Sequence, residues 1–398
     1  MIFIFYFLAA VLVFLSFKSF RGGIQYLRFF KSALASPLPG YTPFATVIVP
    51  CRGVDEGLLQ NLMAVTHQEY GNYEVIFVTD DPLDPAVAVV DEAIRDSPVE
   101  TVLIIAERAT VSSQKVDNLR AAVHHADASS SIFVFADSDV RPSTLWLRHL
   151  VAPLADEQVG AATGYRWFIS HKPTFASELL AAWNASIASS LGPDTRSNFC
   201  WGGSMAIRRE TFERLDIREK WHGTLSDDFT VTLAMNAAHL PIVFVPQALS
   251  PSMDSSSLAQ VLEFTTRQMK ITRVYAPKLW IVSLIGSALF IIVLTTALRM
   301  IIFGSPNQIA FTAAVATVLL VTVLSLAKAY LRFAAVKLVL AERYPEVRRQ
   351  TLAQHTLWLI TPGLFLYNSL AALASRRLTW RGTTYELKSP HETVIIAD

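Results

Sequence analysis

Residues 131–140 read SIFVFADSDV, and this stretch decides the fold. Its first six residues form a short apolar run that is typical of a buried strand in a parallel sheet. The run is followed by Asp137 and Asp139, two carboxylates that flank a single serine. Carboxylates placed in this way at a strand end can share a hard divalent cation, Mn²⁺ or Mg²⁺. A polar turn is the alternative interpretation, because Asp and Ser are common in turns.

The segments that precede this stretch indicate the rest of the sheet. Apolar runs that predict buried parallel strands lie at residues 45–50, 74–79 and 102–106. Stretches that predict helices lie at residues 56–67, 86–95 and 114–125. Strands that alternate with helices indicate βαβ units and a parallel, doubly wound α/β sheet. Ligands bind beyond the carboxyl ends of the strands in such sheets, so we expect the site there.

The composition indicates a membrane protein. The chain has 398 residues, of which 52% are hydrophobic and 17% charged, whereas soluble domains have about 25% charged residues. The net charge of +1 provides no field that would attract nucleic acid, and we expect no nucleic-acid partner. Cys51 and Cys200 form no disulfide framework and have no metal-ligand spacing, so we expect isolated thiols in a reducing compartment.

Uncharged segments at both ends predict contact with a lipid bilayer. We expect a transmembrane anchor over residues 1–20, because its basic flank follows the apolar run and should stay cytoplasmic. Residues 279–298 and 309–327 are also long enough to span. In residues 356–375, Pro362 and Gly363 favour a re-entrant or broken helix over a regular span. The other predicted segments are a basic juxtamembrane linker at 21–43, a cytoplasmic globular domain at 44–255, an interfacial helix at 256–278, a cytoplasmic loop at 328–355 and a cytoplasmic tail at 376–398.

Nine short motifs occur in the order found in a known family. They are TVIVPCRG at 46–53, VTDD at 78–81, QKVDNL at 114–119, DSD at 137–139, GYRW at 164–167, WGGSMAIRR at 201–209, SDDF at 226–229, RQMK at 267–270 and TWRG at 379–382. With these motifs, residues 46–385 resemble a family-2-type inverting glycosyltransferase, most closely the ceramide glucosyltransferase branch. The resemblance implies a GT-A nucleotide-diphospho-sugar transferase fold, with a Rossmann-like, mostly parallel sheet over residues 44–255. It also implies an N-terminal transmembrane helix and a C-terminal membrane region.

The resemblance implies a pocket for the nucleotide of the donor. Asp80 would accept hydrogen bonds from the base, and Asp84 is the competing match for that acidic site. Pro50 and Arg52 would line the same pocket.

The resemblance also implies a set of contacts to the donor ribose and phosphates. Lys115 and Asn118 lie three residues apart on one helix face, for which a solvated face is the alternative interpretation. Lys270 and Ile271 replace an Arg and a Trp that the family carries, so Lys270 offers a charge without the bidentate fork of Arg. The implied donor contacts are Lys115, Asn118, Asp137, Arg267, Lys270 and Arg381, with Asp137 and Asp139 as the metal ligands.

The acceptor side of the site is implied by two further motifs. Asp228 matches the general base, which takes a proton from the acceptor hydroxyl. Asp227, which precedes it, is an implied acceptor contact. A helix N-cap is the alternative role for both, favoured for Asp227 and disfavoured for Asp228. Trp201 and Gly203 resemble the acceptor loop, because glycine lets the backbone approach a ligand closely. Core packing is the alternative for the Trp201 ring.

The resemblance implies transfer of a single hexose from a UDP-sugar, with UDP-glucose as the expected donor, to a lipid hydroxyl such as that of ceramide. A processive polysaccharide synthase is an alternative, which Ile271 and the small number of spans disfavour. An inactive nucleotide-sugar-binding membrane protein is another. The four carboxylates Asp80, Asp137, Asp139 and Asp228 speak against that second alternative.

Overall fold

The computed structural model describes residues 2–170, 172–253 and 255–397. The chain forms two compact units, which are described separately. A sheet unit comprises Ala33–His171, Ser190–Ser255 and Arg376–Asp398. A helical unit comprises Met1–Ser32, Lys172–Ser189 and Ser256–Ser375.

The described residues form the following elements. The strands are β1 (Ala45–Pro50), β2 (Tyr73–Thr79), β3 (Thr101–Ile105), β4 (Ile132–Ala136), β5 (Ala161–Ile169), β6 (Ser204–Arg208), β7 (Ile242–Met253), β8 (Arg377–Trp380), β9 (Thr383–Ser389) and β10 (Glu392–Ala397). The helices are α1 (Ile2–Leu34), α2 (Leu58–Thr66), α3 (Ala86–Arg95), α4 (Gln114–His124), α5 (Trp146–Val151), α6 (Phe175–Ala188), α7 (Arg209–Arg214), α8 (Ile217–Lys220), α9 (Asp227–Ala237), α10 (Leu258–Tyr275), α11 (Pro277–Phe303), α12 (Gln308–Val339), α13 (Tyr344–Arg349), α14 (Thr351–Thr356) and α15 (Thr361–Ala374).

The central sheet has the strand order β3-β2-β1-β4-β6-β5-β7. The pairs β3–β2, β2–β1, β1–β4 and β5–β7 are parallel, and β6 runs antiparallel to both β4 and β5. This mostly parallel sheet, flanked by helices, confirms the predicted α/β class and its GT-A form. The prediction that β3 is a buried strand was wrong. β3 lies at the sheet edge, where several of its side chains reach solvent.

Alternate side chains of β1 reach two different hydrophobic clusters. Val47 and Val49 pack with Leu62 of α2, whereas Ile48 packs with Val116 and Leu119 of α4. Successive strand residues point to opposite faces of a sheet. Helices therefore cover both faces of the sheet, and the buried face of α4 lies on the side of Ile48.

The C-terminal residues of the sheet unit form more structure than a tail. Strands β8, β9 and β10 make a second, antiparallel sheet in the order β10-β9-β8. Residues Arg381 and Gly382 form the turn between β8 and β9, both with positive φ. The backbone N–H of Gln114, the first residue of α4, donates to the Tyr385 hydroxyl of β9 at 3.3 Å. The predicted tail at 376–398 is therefore a folded hairpin sheet docked at the start of α4.

The helical unit carries the apolar segments. Among the described residues, α1, α11 and α12 are long and apolar enough to cross a membrane, which supports a membrane protein. The cytoplasmic orientation of residues 44–255 stays a prediction. The pair formed by residues 351–359 and α15 is bent by 58°, and Pro362 stands in the first turn of α15.

Two of these helices are longer than the sequence predicted. α1 continues through part of the predicted linker at 21–43, and α12 continues into the predicted loop at 328–355. The basic residues that suggested a boundary are good helix formers. Positive charge therefore marks a position relative to the membrane and does not end a helix.

A buried carboxylate lies in the helical unit, on α6. Glu178 is 8% exposed, and its carboxylate lies near Gln350, which precedes α14. Burial raises the pKa of Glu178 to about 6, and the Gln350 side chain opposes that increase. Relative to the protonated form, the ionised form of Glu178 is therefore less favourable in the folded protein than in the unfolded chain.

Replacement of this carboxylate should stabilise the protein at neutral pH. The pKa rises from 4.5 in the unfolded chain to about 6, so the stability that Glu178 contributes is complete below pH 4.5 and is lost as the pH rises through 6. Glu178→Gln should flatten this dependence and raise stability at pH 7 by about 2 kcal/mol or less. Melting curves between pH 4 and 8 in detergent measure this effect. Glu263→Gln, which changes an exposed carboxylate of α10, is the matched control and should keep the wild-type profile.

Candidate active site

The predicted donor residues lie at the carboxyl ends of three adjacent strands. β1, β2 and β4 are neighbours in the sheet, and each is followed by polar residues. Arg52 comes shortly after β1, Asp80 directly follows β2, and Asp137 directly follows β4. The strand order therefore brings these three side chains to one edge, as expected for a parallel sheet.

A network of ion pairs occupies this edge. Lys115 Nζ, in the first turn of α4, lies 2.8 Å from Asp137 Oδ1 and 3.2 Å from Asp227 Oδ1. The Arg166 guanidinium, on β5, contacts Asp137 Oδ2 at 3.2 Å and Asp139 Oδ2 at 3.1 Å. Among the described residues, two cations thus pair with three carboxylates, which leaves one net negative charge in these ion pairs. Asp137 is the shared member, because it pairs with both cations.

Burial and pairing act differently on the three carboxylates. Burial alone would raise the pKa of Asp137, but Lys115 and Arg166 together outweigh it and hold the pKa below its ordinary value. Burial raises the pKa of Asp139, for which Arg166 only partly compensates. Burial also raises the pKa of Asp227 to about 6, against the opposing effect of Lys115. The carboxylate that follows β4 directly is therefore the most firmly ionised of the three.

One oxygen of the Asp137–Asp139 pair has no hydrogen-bond partner among the described residues and fits a hard cation. Asp139 Oδ1 is buried and accepts no hydrogen bond from the described residues, although its other oxygen binds Arg166. Mg²⁺ and related cations in phosphate-transfer sites are typically held by one or two carboxylates together with substrate phosphates. Asp137 and Asp139 meet that requirement. Asp139 Oδ1 is the oxygen that a cation could bind without displacing a protein partner. No group of three or more His, Cys, Asp or Glu side chains that could hold a metal ion occurs in the described residues.

Two glycines, in the turn that precedes β6, let the backbone approach this network. A Cβ atom on Gly202 would collide with the Asp227 carboxylate, and one on Gly203 would collide with the Trp201 ring and Asp137 Oδ2. The predicted acceptor residue Gly203 therefore packs directly against the first carboxylate of the Asp137–Asp139 pair. Space at both positions is sufficient only for hydrogen.

The predicted acceptor residue Trp201 is enclosed by its neighbours. Trp201 is 6% exposed, and its ring lies 5.4 Å from the Tyr165 ring. The Arg166 guanidinium carbon stands 4.7 Å over the same ring, a distance at which cation–π attraction operates. The Trp201 ring thus packs against the Arg166 guanidinium, which agrees with the packing alternative.

The start of α9 holds the predicted base. Ser226 is the N-cap, because its Oγ accepts a hydrogen bond from Phe229 N–H. The N-cap alternative for Asp227 and Asp228 was therefore wrong. Both stand in the first helical turn, where the helix dipole favours carboxylates. Asp228 accepts hydrogen bonds from the Ser226 hydroxyl, from Phe229 N–H at 2.7 Å and from Gly202 N–H at 3.3 Å.

The two competing matches for the base-binding carboxylate have different environments. Asp84 Oδ1 accepts hydrogen bonds from Gly53 N–H and Ala86 N–H, both at 2.8 Å, so it anchors the loop after β1 to the start of α3. Asp80 is half-buried, and its Oδ1 accepts no hydrogen bond from the described residues. The geometry favours Asp80 as the residue that can accept a ligand. Pro50 ends β1 in the adjacent strand.

The remaining predicted donor residues are in three different settings. Asn118 is buried and its Oδ1 accepts a hydrogen bond from Gln114 at 2.8 Å, so its contacts differ from those of Lys115. Arg267 and Lys270 lie on α10 of the helical unit, with Arg267 over the Phe264 ring at 5.3 Å. Burial lowers the pKa of Lys270.

Arg381 reaches the carboxyl edge from the second sheet. Both of its terminal nitrogens contact the carboxylate of Asp55, and the guanidinium also interacts electrostatically with Asp137 and Asp139. The pairing with Asp55 is bidentate, which gives a guanidinium a defined orientation. The turn between β8 and β9 therefore places a third cation near the network.

Sequence reasoning assigned no role to three residues of this site. Arg166 carries the charge in the otherwise uncharged sequence of β5, and that isolated charge was the signal that could have identified it. Ser226 precedes two carboxylates and fits an N-cap pattern. Asp55 had no signal, because its partner Arg381 lies 326 residues away in the chain.

Comparisons with known proteins give one family match and several distant structural likenesses. A sequence model of glycosyl transferase family 21 matches residues 6–393. A mannosyltransferase from Pyrobaculum calidifontis, solved with GDP-Man and Mn²⁺, has 18% identity over 92% of this chain and 98% of its own, with a TM-score of 0.46. Residues 1–349 of S. aureus TarS, solved with UDP-GlcNAc, have 11% identity over 89% and 99%, with a TM-score of 0.39. Glucosyl-3-phosphoglycerate synthase from Mycobacterium tuberculosis, solved with Mn²⁺, UDP and glucosyl-3-phosphoglycerate, has 14% identity over 61% and 81%, with a TM-score of 0.35.

The role of Arg166 can be tested by neutralising it. Arg166→Gln should destabilise the metal-free protein by roughly 3 kcal/mol or less, because it leaves two partly buried carboxylates without their shared cation. Mn²⁺ should then raise the melting temperature of the variant more than that of the wild type. Melting curves in EDTA and in Mn²⁺ measure both effects. Arg120→Gln, which removes a pair with Asp117 on α4, should respond to Mn²⁺ like the wild type, and an equal response of all three proteins would contradict the role given to Arg166.

Proposed function

Because the chain belongs to glycosyl transferase family 21, we propose that it transfers a single hexose from a UDP-sugar to the hydroxyl group of a membrane lipid. Family membership makes the protein a hexosyltransferase that uses a nucleotide-sugar donor. The proposal adds that the donor is UDP-glucose and that the acceptor is ceramide or a related lipid. The three long apolar helices support an acceptor that is itself a lipid.

The convergence of three carboxylates, Asp137, Asp227 and Asp228, around two glycines carries the proposal. Gly202 donates its N–H to Asp228, and the next residue, Gly203, packs against Asp137. Lys115 interacts electrostatically with Asp137, Asp227 and Asp228 together. Carboxylates from the end of β4 and from the start of α9 therefore share one small region, which is what sugar transfer from a diphosphate requires.

On the donor side of the site, the charges at the carboxyl edge of the sheet support binding of a diphosphate. Asp137 and Asp139 would hold a divalent cation, and the chemistry that this ion supplies is neutralisation of the leaving diphosphate. Lys115 and Arg166 already lie against the same carboxylates and would add positive charge on the phosphate side. Asp80 would accept hydrogen bonds from the nucleotide base.

On the acceptor side of the site, we assign the proton transfer to Asp228. As the acceptor oxygen attacks the anomeric carbon, Asp228 would take its proton, and inversion follows from this single displacement. Asp228 is half-buried and can be reached, whereas Asp227 is 2% exposed and bound to Lys115. The hydrogen bonds from Ser226, Phe229 and Gly202 would hold the Asp228 carboxylate in a fixed orientation. We therefore assign Asp227 to positioning Lys115 and Asp228 to the chemistry.

Product analysis tests the proposed reaction. The purified full-length protein is incubated with isotope-labelled UDP-glucose, UDP-galactose or UDP-glucosamine together with a total lipid extract, and the labelled products are identified by mass spectrometry. We expect a lipid that carries one added hexose, and UDP-glucose should be the best donor. A labelled polymer, or labelled free sugar without any labelled lipid in every mixture, would contradict the proposal.

A substitution at Asp228 tests the proposed base. Asp228→Asn should lower turnover by about a hundredfold or more, because general base catalysis typically contributes 10²–10⁴-fold, while UDP affinity stays near the wild-type value. Initial rates and UDP titration by calorimetry measure the two quantities. Glu213→Gln, which removes a surface ion pair with Arg209 on α7, is the control and should retain the wild-type turnover. Near-normal transfer by Asp228→Asn would remove Asp228 from the mechanism.

A further inference from the structure

Helices α1 and α12 lie side by side in the helical unit. A Cβ atom on Gly23 of α1 would lie 3.4 Å from Lys328 Cγ and 3.5 Å from Leu331 Cδ1 of α12, so the two backbones approach closely there. About one turn further along each helix stand Tyr26 and Arg332, which interact electrostatically. A pair of polar side chains thus lies near the contact between α1 and α12.

Three buried side chains with hydrogen-bond donors lie on α1, α12 and α14, and two of them are in direct contact. Arg332 is 5% exposed, Tyr26 is 3% exposed and Gln354 of α14 is fully buried. Arg332 Nη2 donates to Gln354 Oε1 at 3.3 Å. Arg332 Nε, Gln354 Nε2 and the Tyr26 hydroxyl form no hydrogen bond within the described part of the chain. No carboxylate of those residues contributes to the electrostatic surroundings of Arg332.

The chemistry of these three groups points to an anionic ligand. The Gln354 amide presents its oxygen to the guanidinium, so its NH₂ group must face elsewhere as a donor. A buried donor without a partner is costly, and a buried charge without a counter-charge is more costly still. A phosphate group has several acceptor oxygens and a negative charge, and it matches the fork of an arginine.

An apolar groove runs along the same two helices. Its walls are residues 6–17 of α1 and 313–324 of α12, and its volume is about 710 Å³. Phe14, Phe17, Leu320 and Leu324 are among the side chains that line it. The groove precedes the donor cluster in both helices, starting roughly 13 Å from Tyr26 along α1, and it is roughly 16 Å long at 1.5 Å per residue. That order and length suit an acyl chain attached to a headgroup at the donors.

We propose that α1, α12 and α14 bind an anionic phospholipid, with its phosphate at Arg332, Gln354 and Tyr26 and one acyl chain in the groove. Lys328, one turn before Arg332, adds positive charge beside the headgroup. Basic pockets between membrane helices commonly bind anionic headgroups. The site is separate in its chemistry from the proposed acceptor, which needs a hydroxyl group and no phosphate.

Lipid titration of the full-length protein in detergent tests the headgroup. Phosphatidylglycerol should raise the melting temperature in proportion to its mole ratio, and native mass spectrometry should detect it as a bound adduct. Diacylglycerol, which lacks the phosphate, and inorganic phosphate, which lacks the chains, should each give little or no shift. An equal shift with diacylglycerol would overturn the headgroup contacts, and an equal shift with inorganic phosphate would overturn the lipid.

Substitutions locate the site. Arg332→Gln should weaken phosphatidylglycerol binding by about tenfold or more, since contacts to charged groups are the strong ones. Arg299→Gln, which removes an exposed charge from α11, is the matched control and should bind like the wild type. Ala316→Trp fills the groove and Tyr26→Phe removes one donor, and both should weaken binding even if Arg332→Gln does not fold. Wild-type affinity in Ala316→Trp and Tyr26→Phe, or in a folded Arg332→Gln, would overturn the proposal.

Discussion

The pairing of Asp137 with two cations is the interaction on which the sheet unit depends. Lys115 comes from α4 and Arg166 from β5, and both contact this carboxylate at the end of β4. The pair of cations therefore joins three elements that are distant in the chain. Loss of either cation would leave a carboxylate partly buried without compensation. The same network helps to explain why residues 202 and 203 are glycines, because Asp227 occupies the space of a Cβ atom at position 202, and the Trp201 ring and Asp137 occupy it at position 203.

The charge balance of this network prepares the site for a diphosphate. Lys115 and Arg166 leave one of the three carboxylates, Asp137, Asp139 and Asp227, without full compensation. Addition of the proposed divalent cation would change the net charge of the network from −1 to +1. A positive site of that kind stabilises negative charge that develops on a leaving group. The charges are held in place before the donor arrives, so little reorganisation is required.

The helical unit keeps polar groups buried at a cost. Glu178 is less stable when ionised because it is buried, and Arg332 has a buried nitrogen without a partner among the described residues. A buried ionisable group without a counter-charge is expensive. The helix packing therefore combines apolar outer faces with a few polar interior positions. The proposed phospholipid site accounts for Arg332, whereas Glu178 has no assigned ligand.

The local pattern of apolar residues was sufficient to predict most strands and helices of the sheet unit. β1 and α3 begin and end at the predicted residues, because apolar periodicity is a property of neighbouring residues. The candidate carboxylates were also identifiable, since the strand order brings strand ends to one edge. Tertiary structure alone decided their partners: Arg166 lies 29 residues from Asp137, and Asp80 differs from Asp84 by its hydrogen bonds and not by its type. Burial and pairing depend on distant segments, so neither can be derived from residue order.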